Sequence, residues 1–406
     1  MKVAIWGINY APEVTGIGPY NTALAEYLVA QGHDVEMITT FAYYPAWKKA
    51  SEDLGKMYRT EIANGVKVHR CWHYVPSQVS TIKRIVHEGS FVVSSFLRQL
   101  VAPRPDVRVV ISPPLLLGAA AWFLGIIRPA PFVFHVQDLQ PDAAAALGMM
   151  RSGRLMRLLY SLERFAYRKA ARVCGIMGGM MDAFRSKGVP EGKLVEFPNG
   201  VNLLSPEAIP APGKFRAAHD FHPEDFLVVY SGNLGVKQGL DVLIAAARLV
   251  KNPRVQLVLC GQGAERAKLE AMLANEKRSN VRLLNLLPAA EYHEMLVDAD
   301  ICAITQQAGS GKYFFPSKLL TTLSFSRPVV TVADPESDLT RALDQGGFGV
   351  NIPPGNPEEL AAVLDRLSAN REQLLAMSGR ARDFVKQFSF GRVLGDFSAE
   401  LKRVIG

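Results

Sequence analysis

The stretch "KVAIWGINYAPEVTGIGPYNTALAEYLVAQG", Lys2 to Gly32, reads as an apolar strand, a loop and a helix, with Gly16 and Gly18 standing where the helix must begin. Glycine lacks Cβ and tolerates positive φ, so the backbone there can turn tightly or approach another group closely. Beyond the glycines, Tyr20, Leu24, Tyr27, Leu28 and Gln31 recur near the helical period. Exposed backbone N–H groups at such a helix start suit an anion or a sugar. The competing reading is a tight structural turn, because "GIGPYN" lacks the third glycine of the dinucleotide fingerprint.

The same alternation runs outward from this unit. "HDVEMITT", "VKVHRCW", "DVRVVIS", "PFVFHVQD" and "ARVCGIM" are strand-like, with helix-like segments such as "GRLMRLLYSLERFAYRKA" among them. Strand and helix in alternation predict a mostly parallel α/β sheet with ligands at the strand C-terminal ends. The logic restarts at "DFLVVYSGNLG" and continues through "VQLVLCGQG", "VRLLNLL", "DICAIT" and "RPVVTVA". At 406 residues the chain is too long for one ordinary core. The Pro- and Gly-rich stretch Pro198 to Phe215 is the natural linker. The expected domains are 1–205 and 206–388, with a C-terminal helix over 389–406 that packs back on the first.

With 49% hydrophobic and 21% charged residues the chain fills its cores and is not compositionally disordered. The four cysteines, Cys71, Cys174, Cys260 and Cys302, are dispersed and fit a reduced cytoplasmic setting. The opening residues read as a first strand rather than a signal peptide. Charge is uneven: residues 1–200 hold 23 Lys/Arg against 15 Asp/Glu, a balance of +8, and the remainder 23 against 23. That asymmetry favours an N-terminal surface facing anionic lipid, phosphate or nucleic acid, membrane association being preferred over a solvated surface with no specific partner. No nucleic-acid recognition module or base-stacking platform accompanies it. The apolar run Leu115 to Ile127 is too short to span a bilayer and reads as a buried or surface-associated helix.

Phosphate-binding candidates concentrate in the second half. "YSGNLGVKQGL" combines a strand end, Gly232, Asn233 and Gly235 with Lys237, whose mobile ammonium suits phosphate oxygens. "CGQGAERAKL" repeats the strand, glycine turn and helix with Gly261 and Gly263. In "QQAGSGKYFFPSKLLTTL", Ser310 and Gly311 make a tight or flexible loop, and Ser317 with Lys318 opens a helix, as an N-cap or facing a diphosphate. No Walker A string is present, so ATP-driven phosphoryl transfer loses ground.

Taken in order, "GINYAPEVTGIGPY", "YYPAW", "HEGSFVVSSF", "HVQDLQPDA", "FPNGVN", "YSGNLGVKQGL", "GQG" and "FPSKLLTTL" resemble the retaining family-4 glycosyltransferases, over nearly the whole chain. The resemblance implies a GT-B architecture of two Rossmann-like α/β domains facing a cleft. It further implies a nucleotide-sugar donor on the C-terminal domain and a polyisoprenyl-diphosphate-linked saccharide on the N-terminal one. It is nearest to the enzymes that transfer fucose in the assembly of exopolysaccharides such as colanic acid, and so implies GDP-fucose. Lys237 occupies the family's donor-phosphate lysine position, whereas Asn233 stands where many members carry arginine. The family's paired glutamates are absent, Tyr313 and Thr321 holding their places.

"FVFHVQDLQPDA" sets His135, Asp138 and Asp142 at the end of an apolar strand. By family position Asp138 is the acceptor-orienting or proton-accepting group and His135 the alternative. Gly16, Gly18, Lys237 and Lys318 would stabilise developing phosphate charge. No D-x-D run sits at the expected donor site, and His69, Cys71 and His73 lack a fourth ligand, so no obligatory metal is expected. Tyr43, Tyr44 and Trp47 offer flat faces and polar groups to an acceptor. Lys83, Arg84 and Arg98, with Phe91, Val92 and Phe96 beside them, suit a lipid diphosphate or the cytoplasmic membrane surface. A nucleotide-sugar epimerase and a noncatalytic nucleotide-sugar-binding scaffold are the competing functional classes.

Overall fold

The opening stretch forms strand β1 (Lys2–Trp6) and helix α1 (Gly18–Ala30), the first parts of a doubly wound sheet. The computed structural model describes residues 1–78, 80–146, 153–274, 280–309, 311 and 318–406. They fall into two units, Met1–Gly200 with Phe390–Gly406, and Val201–Ser389.

The first unit continues with β2 (Asp34–Thr40), β3 (Tyr58–Ala63), β4 (Val66–Cys71), α2 (Thr81–Val101), β5 (Val107–Ser112), α3 (Leu116–Ile127), β6 (Phe132–Val136), α4 (Gln140–Ala146), α5 (Gly153–Lys169), β7 (Arg172–Gly175) and β8 (Leu194–Glu196). The strand order is β3-β4-β2-β1-β5-β6-β7-β8. Every pairing is parallel except β3 against β4. Helices cover both faces of the parallel strands, so a central strand such as β5, "VRVVIS", is buried at all six positions. Each fully buried Val or Ile there contributes about 1.5–3 kcal/mol. Strand β3, an antiparallel edge, has no counterpart in the sequence reading. Its side chains alternate between exposed and half-buried, with Ile62 outside, and the apolar run that marks the central strands is missing.

The C-terminal helix Phe390–Ile405 belongs to this unit. Val393, Leu394, Phe397 and Leu401 form its buried stripe, and the Phe397 ring stacks on Phe197 at 3.9 Å between centroids.

The second unit holds β9 (Phe226–Ser231), β10 (Val255–Cys260), β11 (Val281–Leu284), β12 (Ile301–Thr305), β13 (Val329–Val332) and β14 (Gly349–Ile352). They are all parallel, in the order β11-β10-β9-β12-β13-β14. In each unit the chain order reverses about the first strand, between β1 and β5 and between β9 and β12. At such a reversal the loops leaving adjacent strands diverge, leaving the crevice in which open α/β sheets bind ligands.

Candidate functional site

In the first unit the crevice is a cavity of about 200 Å³. Ile8, Asn9, Gly16 and Ile17 come from the loop after β1, Tyr43, Tyr44 and Trp47 from the loop after β2, and Arg84, His87 and Glu88 from α2. Pro113 and Pro114 follow β5, and Asp138 follows β6. Of the residues singled out in the sequence, Gly16, Tyr43, Tyr44, Trp47, Arg84 and Asp138 therefore meet at one site. Gly16 sits at φ +67° with the Tyr44 ring against it, a conformation that favours glycine. Gly18 serves packing: a Cβ there would lie 3.0 Å from the Glu13 carbonyl oxygen.

The site is organised by a buried carboxylate that the sequence reading passed over. Glu13 Oε1 accepts hydrogen bonds from the backbone N–H groups of Tyr43 and Tyr44, both at 2.9 Å, while its Oε2 accepts from Asn9 Nδ2 at 2.7 Å. Burial pushes the Glu13 carboxyl above its ordinary range, and these three donors with the Arg70 charge pull it back. Arg70 ties the same loop from below, its Nη2 donating to the Ala11 carbonyl at 2.7 Å and its Nη1 to the Thr40 carbonyl at 3.1 Å. On the rim, Arg84 pairs with Glu88 at 3.1 Å, and Gln140 Nε2 reaches the same carboxylate at 3.3 Å.

His87 is the second residue missed. Its ring lies 4.6 Å from Tyr43 and 5.2 Å from Trp47, and His73 packs against both it and Tyr43, at 5.2 Å and 5.0 Å. Spacing could have found it. Arg84, His87 and Glu88 are three and four apart on α2 and so share a helix face.

The remaining first-unit candidates lie elsewhere. His135 is walled in on β6, 4.6 Å from Phe197, with Gln137 Nε2 donating to its Nε2 at 2.7 Å; burial lowers its pKa to about 3. It lines a separate small space with Tyr20, Asn199 and Phe390, away from the Asp138 cavity. Asp142 pairs with Lys187. Arg98 is half-buried and donates to His69 Nδ1 at 3.0 Å, and Phe91 is wholly buried, so Phe91 does not lie at the apolar boundary expected of it. Lys83 is half-buried in the first turn of α2. His69 faces Glu36 at 3.4 Å, and among the described residues no three His, Cys, Asp or Glu side chains are grouped to hold a metal.

In the second unit, the loops after β9 and β10 lock together through their backbones. Gly232 N donates to the Cys260 carbonyl and Leu234 N to that of Gln262, both at 2.9 Å. A Cβ on Gly261, which sits at φ +155°, would fall 1.8 Å from the Gly232 carbonyl oxygen, and one on Gly263 would fall 2.3 Å from that of Leu234. These glycines are thus required for loop-to-loop contact. Gly232 itself, at φ +141°, leaves Lys318 beside it.

Lys318 Nζ lies 3.6 Å from the centre of the Tyr230 ring and 3.4 Å from the Ser231 carbonyl oxygen. The residue is half-buried with its ammonium packed against this ring and carbonyl, and burial lowers its pKa to about 7. Lys237 stands in the single turn Val236–Gln238 that follows Gly235, and its carbonyl accepts from Gln307 N at 2.8 Å, joining the loops that leave β9 and β12. Gly311 packs against Ser337. Ser310, Tyr313 and Ser317 lie outside the described residues. Asp298 and Asp300 are structural: Asp298 accepts from Gly213 N at 2.6 Å and Asp300 from Arg216 Nη2 at 2.8 Å.

Each of the two units matches a known protein family separately. Residues 15–200 match the glycosyl transferase 4-like domain and residues 213–384 the glycosyl transferases group 1. The chain is 32% identical over 370 residues to the putative colanic acid biosynthesis glycosyl transferase WcaI of Escherichia coli, covering 89% of this chain and 91% of that protein. It is 25% identical over 290 residues to the probable glycosyltransferase WbjE of Pseudomonas aeruginosa, covering 70% and 71%. Among solved structures, sucrose-phosphate synthase of Thermosynechococcus elongatus superposes with a TM-score of 0.76 at 18% identity, covering 99% and 98% of the two chains. Anabaena HepE in complex with UDP superposes at 0.72 and 17%, covering 99% and 100%. The likeness to the solved structures carries the fold, the two domain matches and the E. coli relative carry the family, and on both grounds the chain is a GT-B glycosyltransferase of family 4.

Proposed function

We propose that this protein is a retaining glycosyltransferase that moves fucose from GDP-fucose to a polyisoprenyl-diphosphate-linked saccharide during exopolysaccharide assembly, at the inner surface of the cytoplasmic membrane and without an obligatory metal. The observation that carries the reading is the first-unit cavity, where Tyr43, Tyr44 and Trp47 stand with Asp138 at the strand ends. Flat ring faces beside a carboxylate suit a saccharide that must be held and relieved of a proton.

The donor is assigned to the second unit, through Gly232, Asn233, Lys237 and Lys318. Support comes from the UDP bound by Anabaena HepE and the colanic acid role in the name of the E. coli relative. In the proposed step an acceptor hydroxyl oxygen bonds to the anomeric carbon on the face the nucleotide leaves. The bond from that carbon to the phosphate oxygen breaks, and its electron pair departs with the nucleoside diphosphate. Asp138 takes the hydroxyl proton, while Lys237 and Lys318 stabilise the charge growing on the diphosphate.

The membrane part rests on α2 and α3. Their outer sides expose Val93, Leu97, Phe123, Ile126 and Ile127, which line an apolar groove of about 630 Å³. The first unit carries the excess of basic residues, and such a surface suits an anionic bilayer. No helix among the described residues is long and apolar enough to cross a membrane.

The test is acceptor-dependent release of nucleoside diphosphate from a panel of nucleotide sugars, in the wild type and in Lys237→Ala. Release only when a lipid-linked saccharide is present, and its loss in the folded variant, support the reading. A donor that is converted without acceptor identifies an epimerase instead.

A further inference from the structure

His87 is buried in the wall of the first-unit cavity with one ring nitrogen committed and the other without a hydrogen-bond partner among the described residues. Nδ1 lies 2.5 Å from the Tyr74 carbonyl oxygen. A carbonyl oxygen only accepts, so the proton sits on Nδ1, and Nε2 carries a lone pair. Nε2 is buried and has no hydrogen-bond partner among the described residues. A buried acceptor left unmade is costly, and at a ligand cavity the cost is recovered when the ligand supplies the donor.

The surroundings hold the ring in this state. Burial foremost, and then the positive charges of Arg84 and Lys49, lower its pKa, so it is neutral near pH 7. His73, the neighbouring imidazole, is also buried with unpartnered nitrogens but does not line the cavity. The lone pair also sorts ligands. Ionised phosphodiester and carboxylate oxygens offer no proton to it, whereas a sugar hydroxyl does, and the half-buried ring of Trp47 stands beside it for the apolar face of a pyranose.

We propose that His87 is a specificity-determining residue for the acceptor: its Nε2 accepts a hydrogen bond from one hydroxyl of the terminal sugar, and acceptors lacking that hydroxyl are rejected. This rests on the reading of the cavity as the acceptor site, and it adds the group that reads the sugar.

The test uses the full chain as wild type, His87→Ala and His87→Gln, the last placing an amide oxygen near the position of Nε2. Methyl glycosides of glucose, galactose, mannose and fucose, with their monodeoxy analogues, are titrated by saturation-transfer NMR, and GDP and UDP binding serves as the check on folding. The wild type binds at least one glycoside, and removal of one particular hydroxyl weakens it about tenfold or more. His87→Ala binds the parent glycoside as weakly as the wild type binds that deoxy analogue and no longer tells the two apart. His87→Gln recovers part of the difference. A wild type that binds none of the glycosides, or a folded His87→Ala that discriminates as the wild type does, overturns the proposal, the nitrogen then being served by water alone. Failure of the transfer reading shows separately, as a chain that discriminates glycosides through His87 yet extends no lipid-linked saccharide.

Discussion

Replacing Glu13 should dismantle the acceptor side while leaving the donor side intact. In Glu13→Ala three hydrogen bonds to a carboxylate disappear: two from the backbone of Tyr43 and Tyr44, one from Asn9. Tyr44 is partly exposed and its N–H can turn to water, whereas the buried Tyr43 N–H is left unmet and the buried Asn9 Nδ2 keeps only a long contact of 3.5 Å to the Tyr43 hydroxyl. At about 1–3 kcal/mol for each, less the desolvation the carboxylate no longer suffers, the net loss is about 3 kcal/mol. For a unit of this size that lowers its melting temperature by about 6–12 °C. Glu13→Gln should cost about 1 kcal/mol, because Oε1 still serves both backbone donors and only Asn9 faces an amide in place of an oxygen. The assay is a thermal melt of the full chain near pH 7, with nucleotide affinity measured alongside. A Glu13→Ala protein melting within about 2 °C of the wild type would refute the claim that this carboxylate holds the loop.

Asp138→Asn should preserve nucleotide binding and lower transfer by about 10²–10⁴ when chemistry is limiting; an unchanged rate removes Asp138 from the proposed step. Lys318 should take up a proton when a nucleoside diphosphate binds. Its pKa of about 7 lies below the usual 10.5, so the free protein is stabilised as pH rises between those values and loses that stability as pH falls. Calorimetry at pH 8 in buffers of different ionisation heat should therefore report uptake approaching about one proton, vanishing near pH 6 and in Lys318→Met; no uptake in the wild type contradicts a phosphate contact. Charging the apolar groove with Val93→Asp and Ile126→Asp should weaken binding to anionic vesicles by more than about tenfold with nucleotide affinity unchanged, and equal vesicle binding would place the membrane face elsewhere.

The fold was open to reading because the central strands are buried on both faces and announce themselves as unbroken apolar runs, as in "VRVVIS". Edge strand β3 was not, since an alternating, half-exposed strand blends with its flanking loops. Asp138, chosen for its place after a strand, and Tyr43 and Trp47, chosen for their flat faces, line one cavity. Proximity to a strand end misled on His135, whose side chain is buried in the core against Phe197, three residues before the exposed Asp138. Glu13 and Asn9 lay inside the opening stretch itself. Their importance depends on a partner thirty residues away in sequence, Tyr43, which no local pattern reveals. Basic residues on α2 looked equivalent in the sequence, yet Arg84 turns to the cavity and Glu88 while Arg98 bonds to Thr60 and His69. Gly261 and Gly263 were read as ligand-facing, and the reason for them is contact between backbones.

The most direct measurement of the central claim is the mass and anomeric configuration of a polyisoprenyl-diphosphate-linked saccharide after incubation with the purified chain and GDP-fucose, alongside other nucleotide sugars. The account predicts extension by a single deoxyhexose in the α or β form the donor carried, with GDP released in equal amount and no gain when Asp138→Asn replaces the wild type. An unextended lipid-linked saccharide with every donor tried, or a product of inverted configuration, contradicts it.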